Sequence, residues 1–138
     1  MINIRFIINL LGKLMLIESA CFLLCVLISL LYRENDTLAF LYSTLITGGT
    51  GAIMAFGIKA NDKVLAKKDG YFTVTFIWLF FSLFGCLPFI LGNTIPSFPD
   101  AFFETMSGFT TTGSSILNDI EALPHASLFW RSMTQWLG

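Results

Sequence analysis

Three long apolar segments constrain the fold of this 138-residue chain more than any other feature. They cover residues 14–32, 38–58 and 71–92, and only the first holds a charged residue, Glu18. A helix needs roughly 20 mainly apolar residues to cross a lipid bilayer. The sequence therefore predicts an all-α integral membrane protein in which each segment is a transmembrane helix.

A fourth apolar segment starts near residue 127 and is only about a dozen residues long where the sequence stops, too short to cross a bilayer. We therefore expect a return helix over 127–138 that is truncated at Gly138. The predicted organisation is an N-terminal transmembrane helix pair over 1–58, a basic loop over 59–70 and one hairpin over 71–138.

The composition excludes several classes of function. Only 12% of the residues are charged and the net charge is −1, so electrostatics give no case for a nucleic-acid partner. No nucleophile–base pair, metal cluster or nucleotide motif is present, so we predict neither an enzyme nor an organic cofactor. Cys21, Cys25 and Cys86 lie in apolar runs without metal-ligand spacing and are expected to be small core residues.

The distribution of lysine and arginine predicts the orientation of the helices. Six of these residues flank the N-terminus or lie in the 59–70 loop, whereas the opposite side has only Arg33. Short loops rich in Lys and Arg stay in the cytoplasm. The N-terminus and the 59–70 loop are thus expected to be cytoplasmic, and the residues 33–37 and 93–127 external.

The external connection contains an apolar helix of half the spanning length, predicted over 99–109, followed by the polar run 107-SGFTTTGSS-115. Non-helical backbone at membrane depth persists only where protein buries it or where it lines a water-filled cavity. An extended turn over residues 110–114 could aim carbonyl oxygens at a cation, and Gly113 permits unusual backbone angles. The alternative is an ordinary external loop.

A resemblance to a known family favours the first interpretation. The segment 98-FPDAFFETMSGFTTTGSSIL-117 resembles the first pore loop of the Trk/Ktr/HKT potassium-transporter superfamily, most closely that of bacterial TrkH-type potassium-uptake subunits. The flanking 83-LFGCLPFIL-91 and 129-FWRSMTQWLG-138 are similar to the two helices of that family's first hairpin. The resemblance covers about residues 71–138, and the helix pair before residue 59 matches by position more than by motif.

The resemblance implies four hairpins around one pore, each with a filter glycine, of which this chain holds the first. Gly113 matches that glycine, so the backbone carbonyls of Thr111, Thr112 and Gly113 would bind potassium, supported by Thr110 and Ser114. The implied function is potassium uptake across the bacterial inner membrane, as a channel or a cation-coupled symporter. A small non-transporting membrane anchor or assembly subunit is the alternative.

The same resemblance implies partners. They are the lipid bilayer, the remaining three hairpins of a longer chain, a second copy in a homodimer, and a cytoplasmic nucleotide-binding regulatory subunit of the TrkA type. Potassium is the transported ion.

Two buried charges are predicted to support the filter. Glu104 and Arg131 each lie roughly 6–8 Å below the external surface if both helices start there, at 1.5 Å per residue. An unpaired charge at this depth is costly, so we expect the two to pair and brace the pore loop. The alternative is a partner in another hairpin. Glu18 is expected to make a polar contact between helices, because Lys13 is poorly phased to reach it; the alternative is a role in the ion path.

Other positions have structural expectations. Pro88 is expected to kink the third span, since proline removes a helix hydrogen bond. Close packing of the second segment is expected to use its small residues Gly48, Gly51 and Ala55. Gly108 is expected at the C-terminus of the half-length helix, and His125 at the surface or in an interface.

Overall fold

The structure, a computed structural model, describes residues 4–58 and 67–138 and contains helices and no strands in those ranges. The elements in chain order are α1 (Ile4–Tyr32), α2 (Thr37–Gly57), α3 (Lys67–Gly85), α4 (Leu87–Leu91), α5 (Phe98–Phe109) and α6 (His125–Leu137). Three stretches are long and apolar enough to cross a membrane: Ile4–Tyr32, Thr37–Gly57 and Asp69–Leu91. The predicted all-α fold with three candidate spans is confirmed.

The first helix is longer than predicted, because it begins at Ile4 instead of residue 14. Its added turns contain Asn9, a residue that interrupts the apolar run. The Asn9 side chain is buried and donates a hydrogen bond of 2.8 Å to the carbonyl of Ile58, just past the end of α2. The helix therefore continues past the apolar segment because a neighbouring helix end satisfies its polar side chain.

The segment predicted as one helix over 71–92 consists of two helices that are separated at Cys86. The first of them already starts at Lys67, so the predicted loop over 59–70 was too long at its C-terminal end. Its remaining part, 59–66, lies outside the described residues. Pro88 occupies the first turn of α4, where its missing N–H group costs nothing. The third span is thus interrupted two residues before the proline, although Cys86 keeps a helical conformation and still donates to the carbonyl of Ser82.

Close packing between α1 and α2 depends on small residues, as predicted for Gly48, Gly51 and Ala55. A Cβ atom on Gly51 would lie 3.0 Å from the carbonyl oxygen of Gly12, and one on Gly48 would lie 2.7 Å from the Ser19 hydroxyl. Larger side chains at these positions would separate the helices. The predicted burial of Cys21, Cys25 and Cys86 is also confirmed, and all three thiols are free.

An aromatic cluster around Trp130 positions α5 within the bundle. Trp130 of α6 is fully buried, with its ring centroid 4.5 Å from that of Phe22 in α1 and 6.1 Å from that of Phe109 in α5. Its indole Nε1–H donates a 2.8 Å hydrogen bond to the carbonyl of Gly85, where α3 ends. One side chain thereby fixes α6 against the broken third span and the end of α5.

Replacing Trp130 by Phe is expected to lower the free energy of unfolding by about 1–3 kcal/mol, since the buried Gly85 carbonyl loses this donor. Thermal unfolding of the detergent-solubilised protein measures the effect. Trp136→Phe is the matched control, because the Trp136 side chain is 81% exposed. Equal unfolding temperatures for the two variants would contradict the prediction.

Candidate functional site

The end of α5 shapes the polar turn that follows it. Thr110 is the C-cap, and Thr111 takes the left-handed conformation with φ +56°. The Thr111 N–H donates to the carbonyl of Gly108, and the Thr112 N–H donates to the carbonyl of Ser107, each at 2.9 Å. These two bonds form a Schellman motif. Thr110 and Thr111 therefore close the end of α5 and do not form the extended backbone that was predicted from residue 110.

Gly108 has a different role from the one predicted for it. The sequence favoured Gly108 as the helix terminus, but α5 continues to Phe109 and the left-handed residue is Thr111. A Cβ atom on Gly108 would lie only 2.8 Å from the Cβ of Thr134 in α6. The glycine is needed for the close approach of the two helices, not for the end of α5.

The carbonyl oxygens of three consecutive turn residues are free of protein donors. Among the residues that the structure describes, no N–H or O–H group donates to the carbonyls of Thr111, Thr112 or Gly113, and residues 110–114 are exposed. The next carbonyl, that of Ser114, accepts a 2.6 Å hydrogen bond from the Ser107 hydroxyl. The turn thus presents three unengaged oxygens in a row, of the type that binds hard cations.

The side chains and angles of the turn fit a backbone site. Gly113 has φ +76°, and apart from its two chain neighbours no described residue has a heavy atom within 4 Å of the place that its Cβ would take. The Thr110 hydroxyl bonds to the carbonyl of Met106 at 2.8 Å and to the Thr112 hydroxyl at 2.9 Å. The two hydroxyls are therefore engaged with each other and with α5.

The structure brings the predicted partners Glu104 and Arg131 together. The Glu104 side chain is only 2% exposed and accepts a 2.6 Å hydrogen bond from Nε of Arg131. Both of its carboxylate oxygens lie 3.0 Å from the Ser115 hydroxyl, and one accepts the backbone N–H of Ile116 at 3.1 Å. One carboxylate thus connects α5, α6 and the chain that leaves the turn.

Three of these contributors were not identified from the sequence: Ser107, Ser115 and Ile116. Ser107 and Ser114 are seven residues apart, and Glu104 and Ser115 are eleven apart, across an irregular turn. No periodic pattern links such positions. Only the presence of several hydroxyl residues after a buried carboxylate could have suggested the contacts.

The comparison with protein families decides the assignment of the chain. The TrkH family model, described as a cation transport protein, matches residues 37–138. The chain belongs to the TrkH family.

Named TrkH proteins match nearly the whole chain. The Trk system potassium uptake protein TrkH of Halomonas elongata is 38% identical over 137 residues, and that of Escherichia coli strain K12 is 32% identical over the same length. Each alignment covers 99% of this chain and 28% of the relative. The crystal structure of the potassium transporter TrkH from Vibrio parahaemolyticus matches with a TM-score of 0.90 and 34% identity, over 99% of this chain and 29% of that one.

In this TrkH-family chain, the connection between α1 and α2 caps the distant helix α6. The Glu34 carboxylate accepts the backbone N–H groups of His125 at 2.9 Å and Ala126 at 3.4 Å, and it contacts Nδ1 of His125 at 2.8 Å. The ring of Tyr32 stacks on that histidine with centroids 4.0 Å apart. Sequence reasoning had treated His125 only as a surface or interface residue.

The Glu34 cap predicts an acid-sensitive contact. Partial burial raises the pKa of the Glu34 carboxyl, but hydrogen bonds from His125 and Ala126 outweigh it, so this pKa lies below its ordinary value. A carboxyl whose pKa is lowered by folding contributes stability above its unfolded pKa of about 4.3. That contribution is lost as the pH falls through the folded value.

We therefore expect Glu34→Gln to flatten the fall of unfolding temperature with pH below about 5, relative to wild type. Thermal unfolding in detergent at a series of pH values measures this. Glu121→Gln is the control, because Glu121 is an exposed carboxyl on the same connection as His125. Parallel curves for wild type and Glu34→Gln would show that the cap does not contribute.

Proposed function

We propose that this chain forms one side of a potassium filter in a TrkH-type uptake protein. The observation that carries the proposal is the turn after α5, where the carbonyls of Thr111, Thr112 and Gly113 are exposed and accept no hydrogen bond from the described residues. Backbone carbonyls can replace the hydration shell of a potassium ion. The C-terminal, partly negative end of α5 precedes the turn and favours a cation there.

The remaining ligands would come from a longer protein. The chain spans only 28% of the length of the curated relatives named above, and one turn surrounds an ion on one side only. Three further hairpins of the same kind would complete a cage of carbonyl oxygens. In this arrangement Thr110 and Ser114 hold the ends of the filter strand, and the Glu104–Arg131 pair keeps the strand against α5 and α6.

The proposed setting is the bacterial inner membrane, with the N-terminus in the cytoplasm. Relatives are named as parts of a Trk potassium-uptake system, which supports a multi-component assembly. We propose a homodimer and a TrkA-type nucleotide-binding regulator on the cytoplasmic side as partners.

Potassium uptake tests the proposed function. The full-length protein that contains this segment should restore growth at low potassium in a bacterial strain without its own uptake systems. Residues 1–138 expressed alone should insert but transport nothing, because they supply a quarter of the cage. Failure of the full-length protein to take up potassium would overturn the proposal and favour a non-transporting anchor or assembly role.

Cysteine labelling tests the proposed orientation. Single cysteines placed in 33–37 and 118–126 should react with an impermeant reagent added outside intact cells, whereas those in 60–69 should react only after lysis. The reason is the excess of lysine and arginine near the N-terminus and in the second connection. External labelling within 60–69 would reverse the orientation.

A further inference from the structure

The carboxyl group of Glu18 lies in the middle of α1 without any exposure to solvent. Among the described residues, neither of its oxygens has a hydrogen-bond partner, and the same holds for the Thr47 hydroxyl of α2. Their chain neighbours are adjacent across the helix pair, since a Cβ atom on Gly48 would lie 2.7 Å from the Ser19 hydroxyl. The predicted polar contact of Glu18 between helices is therefore wrong, and its burial requires another explanation.

The surroundings of the carboxyl group are apolar and include the end of α5. One Glu18 oxygen lies 2.9 Å from the place that a Cβ on Gly85 would occupy. The same place is 2.7 Å from the Thr105 methyl carbon and 3.0 Å from a ring carbon of Phe109. Glu18 thus reaches the break in the third span and the last turns of α5.

Among the side chains that the structure describes, those of residues 4–58 and 69–138, no cationic group is available to neutralise this carboxyl group. Arg5, Lys13 and Arg33 are exposed, and Arg131 is bound to Glu104. The side chains already packed around Glu18 exclude solvent, so a further segment of a longer protein could not reach the group without displacing them. An ionised carboxylate in such a place is strongly disfavoured. Neutralisation must therefore come from a small species.

The titratable groups around Glu18 add no positive charge. Cys21 lies one turn further along α1, and Cys86 follows Gly85 at the break of the third span; both are buried free thiols. The carboxylate of Glu104 on α5 is occupied by its own donors.

Two chemical arguments favour a proton over a metal cation. A hard cation requires several oxygen ligands, whereas the nearby hydroxyls of Ser19 and Thr105 already donate to backbone carbonyls, and of the buried hydroxyls that the structure describes only that of Thr47 lacks a partner. A negative charge close to the C-terminal end of α5 would also be repelled by the partial negative charge of that helix end. A proton removes the charge and needs no further ligand.

We propose that Glu18 is a proton-binding site, occupied at neutral pH, which places a neutral carboxylic acid between the N-terminal helix pair and α5. The proton allows the acid to pack against Gly85 and Phe109 as an uncharged group. The site is distinct from the filter turn, and its occupancy does not depend on the transported ion.

Infrared spectroscopy of the purified full-length protein tests the proposal directly. At about pH 7 ordinary glutamates are ionised, so a C=O stretching band of a protonated carboxylic acid identifies an exception. The difference between the infrared spectra of wild type and Glu18→Gln should show this band, whether or not potassium or sodium is present. Glu104→Gln is the matched control, a second buried glutamate whose removal should leave the band in place. A carboxylate signal from Glu18, constant or cation-dependent, would overturn the proposal.

A second variant covers the case in which Glu18→Gln fails to fold. Glu18→Met is apolar and of similar length, and it should insert normally because a neutral acid without partners has no bond to lose. Its potassium uptake should match wild type, a readout that rests on the proposed function. Loss of folding in Glu18→Met would show an ionised or partnered carboxyl group. If the wild-type protein shows the infrared band but takes up no potassium, the proposed function fails and the protonation of Glu18 stands.

Discussion

Glu104→Gln is expected to reduce potassium uptake by the full-length protein roughly tenfold or more, the largest effect of any single neutral substitution in this chain. The buried Arg131 would lose its counter-charge, and breaking such a pair on one side costs about 3–5 kcal/mol. The Ser115 hydroxyl and the Ile116 N–H both donate to the Glu104 carboxylate. In the variant they would face the N–H₂ group of the glutamine amide, which is itself a donor and cannot accept these hydrogen bonds. The turn over residues 110–114, which we propose as a filter strand, would lose its attachment to α5 and α6.

Uptake per unit of membrane-inserted protein measures this effect and separates it from expression. Arg131→Lys keeps the charge but not the planar donor, so an intermediate loss is expected. Glu121→Gln removes an exposed carboxylate and should behave as wild type. Wild-type uptake by Glu104→Gln would show that the network does not support the filter.

Gly113→Ser should abolish discrimination between potassium and sodium while leaving membrane insertion intact. Gly113 has φ +76°, and a side chain in this region costs about 1–2 kcal/mol. Apart from the two chain neighbours, no described residue has a heavy atom within 4 Å of the position of the new Cβ, so the strain comes from the backbone torsion and not from a collision with a distant residue. The chain would relieve it by rotating the peptide, which redirects a carbonyl ligand.

Thr112→Val is the control for the backbone interpretation. Valine keeps the branched shape of threonine and removes only the hydroxyl, which bonds to Thr110. Selectivity should survive, because the proposed ligand is the backbone carbonyl of residue 112. Potassium and sodium uptake are compared in both variants and in wild type. The reverse pattern, a selective Gly113→Ser and an unselective Thr112→Val, would mean that side chains bind the ion.

The sequence predicted those features that depend on local composition or on the cost of burying charge. Apolar length located three spans, and the burial of Glu104 and Arg131 at equal depth predicted their contact. Contacts between exposed residues far apart in the chain left no such signal. Glu34 and His125 are separated by 91 positions, and neither belongs to a pattern.

Local preferences also misplaced some helix ends. Glycine is the usual residue after a helix, which favoured Gly108 as the end of α5. In the structure Gly108 lies inside α5, because only a residue without a side chain leaves room there for Thr134. The start of α1 was missed because Lys13 and Asn9 interrupt the apolar run, although the end of α2 satisfies the Asn9 side chain. In both cases a tertiary contact outweighs the preference of the local sequence.

The left-handed conformation of Thr111 strains the backbone of the turn. A β-branched residue at φ +56° is held in a conformation that costs of the order of 1–3 kcal/mol, where glycine would cost almost nothing. The Schellman bonds on one side of the turn and the Glu104 carboxylate on the other keep it there. The segment between these two sets of contacts is therefore conformationally strained. Loss of either set would let Thr111 relax to a more favourable φ, and this rotation would turn its carbonyl away from those of its neighbours.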